Sequence, residues 1–471
     1  MVSTINHFIG GQFQTPVGDT FQSLSPQDHC VIGVGSVATE TQISDAISCA
    51  KRAGKLWRSM AFSDRLHIIK SYALQLKHHE TELATLITRE MGKPIWESRL
   101  EVSAMINKVA ISETAYHDRC PTVKGDGDMR YTVLEHRPHG VMVVLSPFNF
   151  PGHLPNGHIV PALLAGNTVV LKPSEFTPLV AQLMVKCWAD AGLPPGVLNM
   201  VQGDGAVGKQ LIAHPDINGV LFTGSAITGQ RLSTTLASRP NVILAMELGG
   251  NNPLIVSSFS DPKSVVWTVI SSAFLTTGQR CTSARRLIVL DTPQNRQLVD
   301  MVVSRTKQMV IGPGNHADTF MGPLIHDASC AAVLSYQDRL RMQGGKEMLA
   351  ATRLDMPGSF VSPGIIDVTD AADIPDEEIF GPLLSVYFVS AIADAIAVAN
   401  NTAYGLSASI ITSDIDEFDH VNESLRVGLL NWNLPTNGAA STLPFGAWGA
   451  VAILDLVPIM RPITVRIRYH V

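Results

Sequence analysis

The sequence lacks a basic excess, a cysteine framework and any long apolar run. Lys and Arg number 35 against 41 Asp and Glu, a net charge of −6 over 471 residues. A nucleic-acid binder usually presents a basic face, so no nucleic-acid partner is expected. The six cysteines, at positions 30, 49, 120, 187, 281 and 330, fall at no metal-ligand spacing. They argue against a disulfide scaffold and against a metal site, and for a reducing compartment. The expected location is cytoplasmic. No apolar run reaches the roughly 18 residues that a spanning helix needs. The first residues, MVSTINHFIGGQF, carry no charged stretch leading into an apolar one. Neither a membrane span nor a signal peptide is therefore expected. No internal repeat or low-complexity segment is visible. What is present is a chain of 45% hydrophobic and 16% charged residues, long enough for two or three domains and a large core.

Residues 5–40 alternate short apolar runs with Gly, Pro and Ser, which reads as strands and turns with GGQF at a hairpin tip. Helical spacing begins near Thr41, with Ala46, Ile47, Ala50 and Ala53 on one face and Thr41 or Ser44 as cap. Residues 63–92 read as one long helical region, stopped by Gly92-Lys93-Pro94. A further helix is expected over 97–120, and the charges along these helices read as solvated faces. Residues 121–138 read as an exposed β-hairpin. From Gly140, short apolar strands (140–145, 168–171, 197–201, 219–222) alternate with helices (155–164, 178–191, 208–213, 228–236). This alternation predicts a doubly wound parallel sheet. A second alternation from about Val242 includes strands at 254–256, 287–290 and 383–389 and helices at 264–275, 295–309 and 392–400. The fold class expected is α/β, with two doubly wound parallel-sheet domains and a small β arm. The divisions are 1–120 with 139–246, then 247–446, the arm 121–138, and a tail 447–471 that stands apart.

The stretch TTGQRCTSARR centres on Cys281. A sulfur nucleophile attacks as the thiolate and needs surroundings that lower its pKa. Arg280, Arg285 and Arg286 predict such surroundings, and Gly278 allows close backbone approach. In MELGGN, 34 positions upstream, Glu247 is a candidate base. Asn149 follows the strand that ends at Leu145, where a side chain faces the ligand crevice of a parallel sheet. His153 and His158 are paired with no base or metal in the sequence and read as structural.

Two glycine patterns compete for a nucleotide. Gly203 to Gly208 fits G-x-G-x-x-G but lacks the acidic residue required some 20 positions on, and serves better as a strand-to-helix turn. Thr223-Gly224-Ser225 runs into a helix, whose N-terminal N–H groups can hold an anion. Gly224, Ser225, Ala226, Ile227, Thr228 and Gly229 are the expected phosphate site.

Six segments occur in family order across about residues 5–446: PFNFP (147–151), GNTVVLKPSE (166–175), FTGSAITG (222–229), MELGGN (246–251), GQRCT (278–282) and EEIFGP (377–382). On these the chain resembles the aldehyde dehydrogenase superfamily. Runs 148–164, 249–256 and 279–287 look most like the branch oxidising N-succinylglutamate 5-semialdehyde in arginine catabolism. The resemblance implies NAD as cofactor, with Lys172 and Glu175 on the adenosine ribose and Glu378 and Phe380 at the nicotinamide ribose. A carboxylate at Glu175 accepts from a 2′-OH and repels a 2′-phosphate, favouring NAD over NADP. It also implies the chemistry: Cys281 attacks the aldehyde, and the Asn149 amide and Cys281 N–H hold the oxyanion. Hydride leaves to the nicotinamide, and Glu247 activates water against the thioester. A base at 247 favours hydrolysis over transfer to coenzyme A. A dicarboxylate substrate needs cations, with Arg280, Arg99 or His153 as candidates. The alternatives are another acidic semialdehyde, or a non-catalytic member of the family. A homo-oligomer is implied, with 121–138 in its arm.

The resemblance stops after Gly446. Back-translated and read in the adjacent frame with one base restored, the tail permits a string that looks like the family's. A one-base deletion is expected, with foreign residues from about Ala447 and weakened assembly; the alternative is a genuinely divergent tail.

Overall fold

The computed structural model describes residues 2–127, 130–439, 445, 447, 449 and 460–467. The continuous apolar runs form the centre of a seven-stranded sheet. Its order is Ile243–Glu247, Gly219–Thr223, Val141–Leu145, Thr168–Lys172, Leu198–Met200, His7–Ile9, Gln12–Gln14. The first five strands are parallel and the last two form an antiparallel edge. Val141–Leu145, Thr168–Lys172 and Gly219–Thr223 are buried at every position, as strands covered on both faces must be. Met142, Val144 and Leu171 join one core with Trp57, Tyr72 and Trp188. Val141, Val143 and Val170 join the other with Ile47 and Leu211.

Eight helices accompany this half among the described residues: α1 (Glu40–Ser59), α2 (Phe62–His78), α3 (Glu80–Met91), α4 (Ile95–Arg119), α5 (His153–Leu164), α6 (Pro178–Asp190), α7 (Gly205–Ala213) and α8 (Ala226–Leu236). The cap of α1 is Thr39, not Thr41 or Ser44. Its hydroxyl accepts from the Gln42 N–H at 3.2 Å while Gln42 Oε1 accepts from the Thr39 N–H at 3.0 Å, a capping box. The helical region expected over 63–92 consists of two helices. His79 leaves helical geometry at φ −94, ψ 15, closing α2 and opening α3. Gly92 ends α3 at φ 87, a conformation that favours glycine.

The second sheet also has seven strands, in the order Lys346–Leu349, Gly364–Asp367, Leu383–Val389, Ala284–Leu290, Asn252–Val256, Ser407–Ile411, Leu429–Trp432. Only Lys346–Leu349 is antiparallel. The arm is the hairpin Val123–Gly127 with Arg130–Pro138. Met460–Ile467 pairs antiparallel along the hairpin's other edge, from Met460↔Pro138 to Ile467↔Tyr131. The tail expectation otherwise falls on residues outside those described, including Val451, Ile453, Leu454, Leu456 and Val457.

Candidate active site

The loop before Cys281 is built under strain. Thr276 and Thr277 take φ of 55° and 58°, a left-handed backbone that costs a β-branched residue on the order of 1–3 kcal/mol. Glu97 on α4 holds it there. Its carboxylate accepts from the Thr276 N–H at 3.0 Å and from the Thr276 hydroxyl, while Thr277 donates to Gly322 O at 2.9 Å. A Cβ on Gly278 would stand 2.3 Å from Gly381 O, so glycine is required for the close approach. After Cys281 the chain enters the strand Ala284–Leu290, and Asn252 Nδ2 donates to the carbonyls of Cys281 and Ser283 at 2.6 and 2.9 Å.

The expected low-pKa thiol is corrected by the structure. Burial pushes the Cys281 thiol up to about 12, the charges of Glu247 and Glu378 push the same way, and Arg285 pulls against them. The neighbouring guanidiniums are engaged elsewhere. Arg280 pairs with Glu97 at 2.7 Å. Arg285 donates to the carbonyls of Gly381 and Arg280. Arg286 donates to Asn251, Val398 and Ala399 carbonyls at 2.8–2.9 Å. The thiol is thus protonated at neutral pH, and the site must supply a base. Glu247 ends the strand Ile243–Glu247, and burial raises its carboxyl above the usual range while Lys108 pulls it back. A raised pKa makes the carboxylate form of Glu247 a stronger proton acceptor.

Asn149 is fixed at both ends of its residue. Its Nδ2 donates to Gln279 O at 2.9 Å, and its carbonyl accepts from Lys93 Nζ at 2.7 Å. The second Nδ2 hydrogen has no partner among the described residues. Lys93 also pairs with Glu101 at 2.7 Å, both side chains 0% exposed, and its Nζ lies 3.8 Å from the Phe150 ring centre. An unpaired charge at that depth would carry a desolvation cost of several kcal/mol, so the pair locks Asn149 to α4. Glu97, Glu101 and Lys93 went unrecognised in the sequence, where the charges of α4 read as a solvated face. Glu97 and Glu101 are in fact buried along with Met105. The shared spacing of four was the available signal, since it places these charges on the helix face that also carries apolar Met105.

The residues expected to hold the nucleotide stand at a strand end, a helix start and the loops beside them. Ser225 caps α8, accepting from the Thr228 N–H at 3.3 Å and donating to Thr228 Oγ1 at 3.0 Å. The first-turn N–H groups of Ala226 and Ile227 have no carbonyl to bond within the helix. Gly224 and Gly229 serve packing: a Cβ would meet the Phe222 ring at 2.4 Å and Leu248 at 2.6 Å respectively. Lys172 donates to Gly203 O at 2.6 Å and lies 3.5 Å from Glu175, whose side chain is 39% exposed. Gly203 takes φ 140 and Asp204 caps α7, so the 203–208 glycines do serve the turn. Glu378 accepts from the Gly250 N–H at 3.0 Å, and burial lifts its carboxyl to about 7. Phe380 meets Phe148 edge-on at 5.9 Å. A helix N-terminus for an anion and an open carboxylate for hydroxyls together fit a dinucleotide. Among the described residues no group of three His, Cys, Asp or Glu could hold a metal.

A model of the aldehyde dehydrogenase family matches residues 13–453. An NAD⁺ complex of an aldehyde dehydrogenase from Bacillus cereus is 29% identical, at a TM-score of 0.94 over 99% of this chain and 97% of that one. An NAD-dependent aldehyde dehydrogenase from Sinorhizobium meliloti is 26% identical, at 0.94 over 99% and 95%.

Proposed function

The chain belongs to the aldehyde dehydrogenase family, and from that membership we propose that it oxidises N-succinyl-L-glutamate 5-semialdehyde to N-succinyl-L-glutamate with NAD. The observation that carries the chemistry is the Asn149 amide anchored to the Cys281 loop through Gln279, with Glu247 near enough for its charge to act on the thiol. Glu247 takes the thiol proton as the sulfur adds to the aldehyde carbon. The free N–H of Asn149 Nδ2 and the Cys281 N–H meet the oxyanion; one such donor is typically worth roughly 10²–10³ in rate. Lys172 and Glu175 hold the adenosine ribose, the Ala226 and Ile227 N–H groups the phosphates, and Glu378 with Phe380 the nicotinamide ribose. Bound there, NAD would supply the hydride acceptor needed for oxidation of the Cys281 thiohemiacetal to a thioester. Glu247 releases the thiol proton to solvent, and as a carboxylate again draws a proton from water as it attacks that thioester; the C–S bond breaks, the free acid leaves, and the Cys281 sulfur takes a proton back.

The substrate rests on the resemblance of runs 148–164, 249–256 and 279–287. A kinetic panel of semialdehydes with NAD tests it: N-succinylglutamate semialdehyde should give the highest kcat/KM, and a better acidic semialdehyde would replace it. Glu175→Ser should narrow the NAD/NADP preference by about tenfold or more, as loss of a charged hydrogen bond does. An unchanged ratio would count against the ribose assignment.

The reading includes a homo-oligomer assembled through the three-stranded arm, and a cytoplasmic enzyme. No helix among the described residues is long and apolar enough to cross a membrane.

A further inference from the structure

Helix α4 sets Glu97, Glu101, Met105 and Lys108 at intervals of four, four and three, one face of a helix. The first three are spent. Glu97 holds Thr276 and Arg280. Glu101 accepts from Lys93 and from the N–H groups of Gly152 and His153. The Met105 carbonyl accepts from Asn156 Nδ2 at 3.0 Å, tying α4 to α5. Lys108 differs. It is half-buried, yet its ammonium makes no hydrogen bond or ion pair among the described residues.

The place it occupies is made by a missing side chain. A Cβ on Gly157 would have Lys108 Cε, at 3.7 Å, as its one neighbour within 4 Å. The next residue, His158, bonds through Nε2 to Thr223 Oγ1 at 3.0 Å, and Thr223 is the register partner of Glu247. Lys108 therefore stands between α4, α5 and the strand end that carries the base. The Nδ1 atoms of His153 and His158 are also buried without partners. Both rings are held neutral, with pKa lowered to about 4 by burial, and both feel the Lys108 charge. A neutral imidazole can donate from Nδ1, and an ammonium has three donors.

We propose that Lys108, flanked by His153 and His158, receives a carboxylate of the aldehyde substrate and selects acidic aldehydes. The proposal rests on the aldehyde-oxidising reading of Cys281 and Glu247. Unspent donors in a half-buried gap are costly alone and strong when an anion arrives. The cations expected from the sequence do not compete: Arg280 is spent on Glu97 and Arg99 is exposed.

The test compares Lys108→Met with wild type on N-succinylglutamate semialdehyde and on a neutral aldehyde of equal chain length. The ratio of acidic to neutral kcat/KM should fall about 10- to 100-fold, through KM for the acidic substrate, and Lys108→Arg should restore most of it. If both substrates lose kcat in proportion, Lys108 acts through Glu247 and the proposal is overturned; an unmoved ratio overturns it too. Calorimetric binding of N-succinylglutamate to the NAD-loaded protein gives a readout free of turnover. Weaker binding in Lys108→Met supports the anion site even if wild type oxidises neither aldehyde, in which case the oxidation reading fails alone. Equal binding contradicts the site. If Lys108→Met does not fold, Lys108→Gln carries the same comparison.

Discussion

Cys281→Ala should lower NAD reduction by aldehyde at least roughly 10⁴-fold, the scale on which losing a covalent nucleophile acts. The variant keeps Asn149, Glu247 and the dinucleotide crevice, but no sulfur remains at the loop those groups serve. The other cysteines do not substitute. Cys187 and Cys330 are buried, and Cys30 is exposed; none lies on the strained loop that Glu97 holds. Alanine is also smaller than cysteine, so the loop accommodates it without overpacking. NADH formation in purified protein, with thermal melting as a control for folding, gives the result. Turnover by the alanine variant near the wild-type rate would remove Cys281 from the mechanism.

Glu247→Gln should lower steady-state turnover by about 10²–10⁴, the usual contribution of a positioned base, while sparing much of the first turnover. The reason lies in the sign of one interaction. The Glu247 charge helps to push the Cys281 thiol up to about 12, so glutamine removes a proton acceptor but also relaxes the thiol downward. Thioester formation is thereby partly compensated, whereas attack of water on the thioester has no such relief. Rapid mixing with substrate and NAD should show a burst approaching one NADH per site, then a slow phase. A variant within tenfold of wild type in the slow phase would deny Glu247 its role in hydrolysis. A variant without a burst would place its main action before the hydride leaves.

The legible parts of the fold were those where one physical rule acts alone. Val141–Leu145, Thr168–Lys172 and Gly219–Thr223 announce themselves because parallel strands buried on both faces must be apolar throughout. The strand Ser407–Ile411 and the edge strands Leu429–Trp432 and Lys346–Leu349 were missed because each mixes polar with apolar residues. Of the site, Cys281, Glu247 and Asn149 stand out through their motifs; the structure ties Asn149 to the Cys281 loop through Gln279 and sets Glu247 near enough for its charge to act on the thiol. The charge state of the thiol was not. Arg280, Arg285 and Arg286 are neighbours of Cys281 in sequence, but the strand and loop aim their guanidiniums at Glu97 and at backbone carbonyls. Burial then dominates, a quantity that local sequence does not contain. The braces on α4 were hidden for a similar reason: a charged residue on a helix reads as solvated until its buried partner, here Thr276, Arg280 or Lys93, is known.

Catalysis is expected to pass through an acyl group on Cys281 that Glu247 helps to remove. Intact-protein mass spectrometry of Glu247→Gln, quenched after mixing with NAD and N-succinylglutamate semialdehyde, tests it most directly. A mass gain of one succinylglutamyl acyl group is expected, located by peptide mapping on the segment containing Cys281. An unmodified protein that has nonetheless formed NADH, or an acyl group on another residue with Cys281 still open to alkylation, would contradict it.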